Sequence, residues 1–514
     1  MEIQKETIQD MQLTPIQTFY NNAHIFITGG TGFLGRVLLE KLLRSCPNIS
    51  TIYMLVRNKK GKNLTARIDE LFDDIIFEQL RKVCPKFRHK VVGIEGDCSY
   101  ENLGMSEQDR RTLIDNVDII FHAAATVRFD EKMKLAVGIN VRAPKCIVEM
   151  AQQMKNLRSF MHVSTAYTNC IEPIIEEKLY PAPMDGEKLI IVANSMSDKL
   201  LDEITPQLIG KWPNTYTFTK AVAEHVVADK ARGLPAAIFR PSIIISTYKE
   251  PIPAWINNMY GPTGICAAAG SGILRTINCD ASVNGNMVPV DMCVNSLIAV
   301  AYEVGTNFAK HKTENVNQEI PIYHYESSND QPITWGRFMN LNATHGVKYP
   351  HIRSVWCYSL TLLKNKYAYL VLMFLLHLIP AVIVDGALLC LGKHPMMLKI
   401  YKKIHKFSDV LAYFTTRQFK YRSDRVQTLI GSMSEKDKEI FFCDLRQLNW
   451  EAYFQVYLKG VRIYLLQDDM KTLDEAKIKY RRFVILHQTL KAILAVVFLR
   501  ILWSIVSFFY TMFS

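Results

Sequence analysis

At 514 residues the chain is long enough for two or more structural units, each with its own core. Lys and Arg number 61 against 49 Asp and Glu, a net charge of +12, but the basic residues are dispersed and form no tail. That turns the reading from nucleic acid towards anionic small molecules or a lipid surface. Hydrophobic residues make up 49%, high for a freely soluble enzyme, and the eleven cysteines form no Cys-x-x-Cys pair, so they read as reduced core residues and no metal site is expected.

Residues 1–21 are polar without an apolar core, which predicts a flexible N-terminus and no signal peptide. The run His24-Ile-Phe-Ile-Thr28 then leads straight into Gly29, Gly32 and Gly35, and Val37-Leu38-Leu39 follows. This predicts a buried strand, a tight turn and a helix. One glycine makes the turn, one admits a pyrophosphate close to the backbone, and one lets helix pack on strand. Thr28, Phe33 and Leu34 complete the loop, and the free N–H groups of the helix start would hold the phosphates.

The second strand, Tyr53-Met-Leu-Val-Arg57, ends in a cation, and Lys59, Lys60 and Lys62 follow with no acid before Asp69. A ribose 2′-hydroxyl calls for a carboxylate there and a 2′-phosphate calls for a cation, so Arg57 and Lys60 point to NADPH. Asp97, after the third strand, is placed to reach the adenine amine. Ala123 and Ala124, after His122, are small enough for the dinucleotide to lie against the backbone.

The fifth strand ends in His162-Val-Ser-Thr165. Tyr216-Thr-Phe-Thr-Lys220 puts a phenol and an ammonium one helical turn apart on one face, ahead of a sixth strand at 236–240 that ends near Pro241. Lys220 is expected to lower the tyrosine pKa and to hold the nicotinamide ribose. Tyr216 then passes the proton that accompanies hydride transfer, with Thr165, and Ser164 second, polarising a carbonyl. The spacing alone is a weak signal; its position before a strand carries the reading. Apolar runs alternating with helical patterns give an α/β fold, a Rossmann-type doubly wound parallel sheet.

Two apolar stretches follow. Residues 370–391 carry His377, Pro380 and Asp385, which leaves open a membrane span, a hairpin buried in protein, or a helix lying in the interface. Residues 492–513 carry only Arg500 and follow Lys477, Lys479, Arg481 and Arg482, the pattern of a C-terminal anchor with a cytosolic flank.

Together the motifs resemble the extended short-chain dehydrogenase/reductase superfamily and, within it, the alcohol-forming fatty acyl-CoA reductases. The resemblance rests on Thr28–Gly35, the Arg57 strand, Val127-Arg128-Phe129, His162-Val-Ser-Thr-Ala-Tyr167, Tyr216–Lys220, Arg240-Pro-Ser-Ile243, Glu250-Pro-Ile-Pro-Ala-Trp255, Gly261-Pro-Thr-Gly264 and His394-Pro-Met-Met-Leu-Lys-Ile-Tyr401. Ala254 departs from it, standing where the family usually has glycine. The resemblance implies a long-chain fatty acyl-CoA substrate, reduced by NADPH to the primary alcohol in two hydride transfers with release of CoA.

It also implies a domain order. An NADP-binding Rossmann domain covers 22–295, a substrate-facing connection 296–354, a helical domain 355–480 with its apolar segment at 370–391, and a membrane anchor 484–513. The catalytic domain would face the cytosol from a peroxisomal or endoplasmic reticulum membrane. A homo-oligomer is left open, and no nucleic acid is expected as a partner. The rival readings are a membrane-bound hydroxysteroid dehydrogenase and a catalytically silent NADP-binding membrane protein.

Overall fold

The computed structural model describes residues 13–58, 61, 63–311 and 319–513. The contacts divide the chain into two interleaved units. The first takes in residues up to Trp255, then Asn284–Ile333 and Arg417–Asn449; the second takes in Ile256–Val283, Thr334–Thr416 and Trp450–Ser514. The linear succession of domains expected from the sequence is therefore replaced by a chain that returns twice to its first unit.

That unit is built on seven parallel strands: β1 (His24–Thr28), β2 (Thr51–Val56), β3 (Val91–Glu95), β4 (Ile119–His122), β5 (Ser159–Val163), β6 (Ala236–Pro241) and β7 (Ile322–Tyr325). Their order across the sheet is β7-β6-β5-β4-β1-β2-β3. This is a doubly wound sheet whose direction of winding reverses between β1 and β4, the place where such folds bind ligands beyond the strand ends. Ile25, Phe26 and Ile27 are wholly buried, as a central parallel strand covered on both faces requires. The first long helix, α1 (Phe33–Ser45), packs Val37, Leu38, Leu39, Leu42 and Leu43 inward. A second, α2 (Thr215–Lys230), is capped by the Asn214 side chain on the Thr217 N–H.

Within residues 1–21, positions 1–12 lie outside the described residues. From Thr14 onward the chain is ordered, in contrast to the flexible N-terminus expected: a capping box between Thr14 and Gln17 starts the helix Pro15–Phe19.

The second unit is mostly helical. A short parallel pair joins Thr276–Asn278 to Thr361–Leu363. From that pair leave a long apolar helix, α3 (Lys366–Cys390, with one π turn at Phe374–Leu378), and the helix after it, α4 (Met397–Thr415). The C-terminal helix is α5 (Leu473–Phe513). The Lys366–Cys390 and Met470–Phe513 segments are long and apolar enough to cross a membrane by length and composition.

Candidate active site

The C-terminal ends of β1, β4, β5 and β6 gather nearly all the described residues expected to act. Gly29 closes the β1 turn at φ +77°, and a Cβ there would stand 2.7 Å from the Ala124 amide nitrogen. The same addition at Gly35 would collide with the Gly29 carbonyl, so the loop can carry no side chain at either position. Gly32 is the N-cap of α1 and supplies no capping side chain, which leaves the first N–H groups of that helix for an outside acceptor. Thr28 is buried, its Oγ1 lying 2.6 Å from His122 Nδ1 and accepting the Ala124 N–H at 3.3 Å. Phe33 and Leu34 begin α1 half-buried, and the Phe33 ring stacks on Trp255 with centroids 5.6 Å apart.

These features fit a dinucleotide: a side-chain-free cradle, an open helix start and small residues at the end of β4. Arg57 is exposed immediately beyond β2. Lys60, with Lys59 and Lys62, lies outside the described residues. Asp97 is half-buried, with one carboxylate oxygen accepting the Ser99 N–H at 2.8 Å.

Next along the edge, Ser164 and Thr165 follow β5 and are both buried. Ser164 Oγ has no hydrogen-bond partner among the described residues. Thr165 Oγ1 accepts the Tyr167 N–H at 3.3 Å, and its side chain stands close enough to the Tyr216 phenol to favour the phenolate. Pro241, ending β6, offers its carbonyl to the Ala166 N–H at 2.9 Å and so fixes the strand-end turn that carries Thr165. Lys220, 1% exposed, donates from Nζ to the Val163 carbonyl at 2.8 Å.

The electrostatics correct one expectation. Tyr216 is pushed up to about 12 by burial, which the neighbouring Thr165 only partly opposes, and Lys220 is not among the influences on it. Burial pulls Lys220 itself down to about 8, held up in part by Glu224. The phenol is therefore a firmly protonated donor, the form suited to giving up a proton.

Four contributors escape a reading of the sequence. Phe129 stacks on Tyr216 with centroids 5.8 Å apart and 25° between planes, holding the phenol ring. Asn140 sits in a π turn, Gly138–Arg142, where its Oδ1 accepts the Thr126 N–H and its Nδ2 donates to Thr126 O and Thr219 Oγ1. His122 and His162 stack 5.4 Å apart beneath the site, both kept neutral by burial. His122 and His162 stood inside motifs and could have been weighed; nothing in the sequence announces the π turn.

The loop from Tyr248 to Trp255 is tied down by buried charge. The Asp291 carboxylate accepts the N–H groups of Tyr248, Lys249 and Glu250 at 2.7, 2.7 and 3.1 Å. The Glu250 side chain pairs with Lys41 and with Arg44, the latter at 2.8 Å. So anchored, the loop holds Ala254 at φ +62° and sets Trp255 against Phe33. A positive φ is strained for alanine and free for glycine, which gives a physical reason for the glycine expected at this position from the resemblance.

In the second unit, described by itself, a cavity of about 50 Å³ is lined mainly by apolar groups, among them Ala267, Ala343, Val347, Leu458 and Val461.

A family model described as male sterility protein, of NAD-binding type, matches residues 27–297, and a second with the same description matches 376–468. The chain is 42% identical over 480 residues to fatty acyl-CoA reductase wat of Drosophila melanogaster, covering 93% of this chain and 91% of that protein. It is 39% identical over 465 residues to fatty acyl-CoA reductase 1 of Homo sapiens, covering 90% and 89%. Among solved structures, the terminal R domain of the myxalamid PKS-NRPS biosynthetic pathway superposes with a TM-score of 0.56 at 19% identity, covering 86% of this chain and 91% of that one. At that identity the likeness is one of fold.

Proposed function

This chain belongs to the fatty acyl-CoA reductase family, and from that premise we propose that it reduces a long-chain acyl-CoA to the primary alcohol at the edge of β1, β4 and β5, using NADPH and releasing CoA. The observation that carries the reading is the approach of Thr165 to Tyr216 beside a side-chain-free nucleotide cradle. Arg57 favours the 2′-phosphate form of the cofactor, since β2 runs into a cation and no acid follows in the sequence before Asp69. When bound, NADPH supplies hydride.

Every other step belongs to the protein. Thr165 and Tyr216 hydrogen-bond the thioester oxygen and strengthen their hold as negative charge gathers there. Tyr216, protonated by virtue of burial, delivers its proton to that oxygen. The hemithioacetal expels CoA as a thiol, and the aldehyde left behind meets the same two donors in a second round. Lys220 places a positive charge at the end of β5 and orients the site from below. Anchorage by α5, with Lys477, Lys479, Arg481 and Arg482 on its cytosolic flank, keeps the enzyme where acyl chains partition. The membrane we assign is peroxisomal or endoplasmic reticulum.

Tyr216→Phe tests this assignment. The ring and its Phe129 contact survive, so NADPH affinity should stay within about threefold, while alcohol formation should fall by about 10²–10⁴ for loss of the proton donor. Wild-type turnover by the variant would remove Tyr216 from the mechanism.

A further inference from the structure

The two apolar helices of the second unit are held in different ways. In α5, every described residue from 488 onward is exposed, as in a helix that leaves the protein. In α3, one side is fastened along its length: Tyr369, His377, Ala381 and Asp385 are buried. The Tyr369 hydroxyl donates to Ser408 Oγ at 3.4 Å, and His377 Nδ1 lies 3.1 Å from His405 Nε2. Asp385 accepts the N–H groups of Met396, Met397 and Leu398 at 2.8–2.9 Å and so caps the start of α4. The far end of α3 meets the beginning of α4 and the near end of α3 meets its later turns, so the two form an antiparallel hairpin.

Both ends of that hairpin return to one place. α3 begins just after Thr361–Leu363, which pairs with Thr276–Asn278. α4 ends there too, with Thr415 Oγ1 donating to Asn278 O at 2.9 Å, and its first turns are held to the residues just before that pair by the Tyr401 hydroxyl on Ile273 O at 3.0 Å. A helix that crosses a bilayer delivers its ends to opposite sides. For α3 to cross, α4 would have to cross back, and α4 exposes Lys399, Lys402, Lys403 and Lys406 at positions i, i+3, i+4 and i+7, one charged face opposite its packed one. Such a face is expelled from hydrocarbon. The outer side of α3 is the reverse: Val371, Phe374, Leu375, Ile379, Val382 and Ile383 are all exposed.

We propose that the α3–α4 hairpin lies in the surface of an anionic bilayer without crossing it. The outer side of α3 sinks among the acyl chains, the α4 lysines meet lipid phosphates, and α5 alone spans. Charge and apolarity on separate sides of one hairpin select this occupant over a protein partner. The proposal rests on the membrane-anchored reading above and adds a second, one-leaflet contact.

The test uses the full-length chain in vesicles of phosphatidylcholine and phosphatidylserine, with Cys390→Ser as background. A Lys393→Cys probe at the hairpin turn should react with an impermeant maleimide from the same side as a Glu107→Cys probe on the catalytic unit, read by peptide mass. A spin label at Val382→Cys should be relaxed by oxygen and shielded at least tenfold from a nickel chelate. Adding Lys399→Glu, Lys402→Glu and Lys403→Glu should abolish that shielding. Reaction of position 393 only from the opposite side overturns the proposal in favour of a span, and nickel access in the unmutated hairpin overturns it in favour of water. Shielding from both agents with coupling between labels means that a second copy covers the face, and shielding unchanged by the three glutamates removes the role of the lysines. Carbonate extraction and acyl-CoA reduction on the same vesicles report on the parent reading. A chain that carbonate strips away overturns that reading and this one together, whereas a retained, active chain with the wrong labels overturns only the hairpin.

Discussion

Lys220→Met is expected to stabilise the cofactor-free protein while disabling the enzyme. The Lys220 ammonium is 1% exposed and its one hydrogen bond runs to the Val163 carbonyl. The nearest acid, Glu224, is engaged by Arg240 through two hydrogen bonds of 2.9 and 2.7 Å. A fall in pKa from 10.5 to about 8 means that holding the charge costs about 3 kcal/mol at neutral pH. Losing the bond to Val163 gives back about 1 kcal/mol. Methionine fills nearly the same volume without a charge, which leaves a net gain of about 2 kcal/mol.

The sign follows from proton counts. Between pH 8 and about 10.5 the unfolded chain keeps a proton that the folded chain has released, so wild-type stability rises with pH across that window and the advantage of methionine fades. Urea unfolding of the full chain in detergent, without nucleotide, at pH 7 and at pH 10.5 measures both effects. A variant less stable than wild type at pH 7, or one whose advantage persists at pH 10.5, would refute the description of Lys220 as a poorly compensated buried charge. Alcohol formation should fall by at least about 10²-fold.

Arg57→Glu should raise the KM for NADPH by about 10–10²-fold and narrow or reverse the preference over NADH, because a charge-assisted contact of about 1.5–3 kcal/mol is lost and a repulsion is added. Competing steady-state assays with the two nucleotides would settle it, and unchanged selectivity would take the 2′-phosphate away from Arg57. Ala254→Gly should be neutral or stabilising by up to about 1 kcal/mol. Relief of the left-handed conformation at φ +62°, about 1–2 kcal/mol, is offset by the greater freedom of glycine in the unfolded chain. Thermal melts test this, and a clear loss of stability would mean that the Tyr248–Trp255 loop needs the alanine methyl.

The parallel sheet was legible because its strands are continuous apolar runs: Ile25–Ile27 and Ile119–Phe121 are wholly buried, and burial on both faces leaves that pattern in the sequence. β7 was not, since its four residues, Ile322 to Tyr325, sit within a loop-rich stretch and gain their place only by pairing with β6. The glycine loop could be read because sterics alone demand Gly29 and Gly35. The direction of the Tyr216 shift could not: a lysine four residues away is visible in a sequence, but that it leaves the phenol untouched while burial raises it is a tertiary property. The same holds for Phe129 against Tyr216 and for the Asn140 π turn. It holds also for α3, whose His377 and Asp385 look out of place in an apolar run until α4 folds back upon them.

The central claim is a two-step reduction by one set of donors, and counting hydrides tests it most directly. Membranes carrying the full-length chain would be given a long-chain acyl-CoA and NADPH deuterated at the transferable position, and the products read by mass spectrometry alongside released CoA thiol. The account predicts a primary alcohol with two deuterium atoms on C1, two NADPH consumed for each alcohol, and one thiol released. A singly deuterated aldehyde as the end product at one NADPH per thiol, or nucleotide oxidation with no change to the acyl chain, would contradict it.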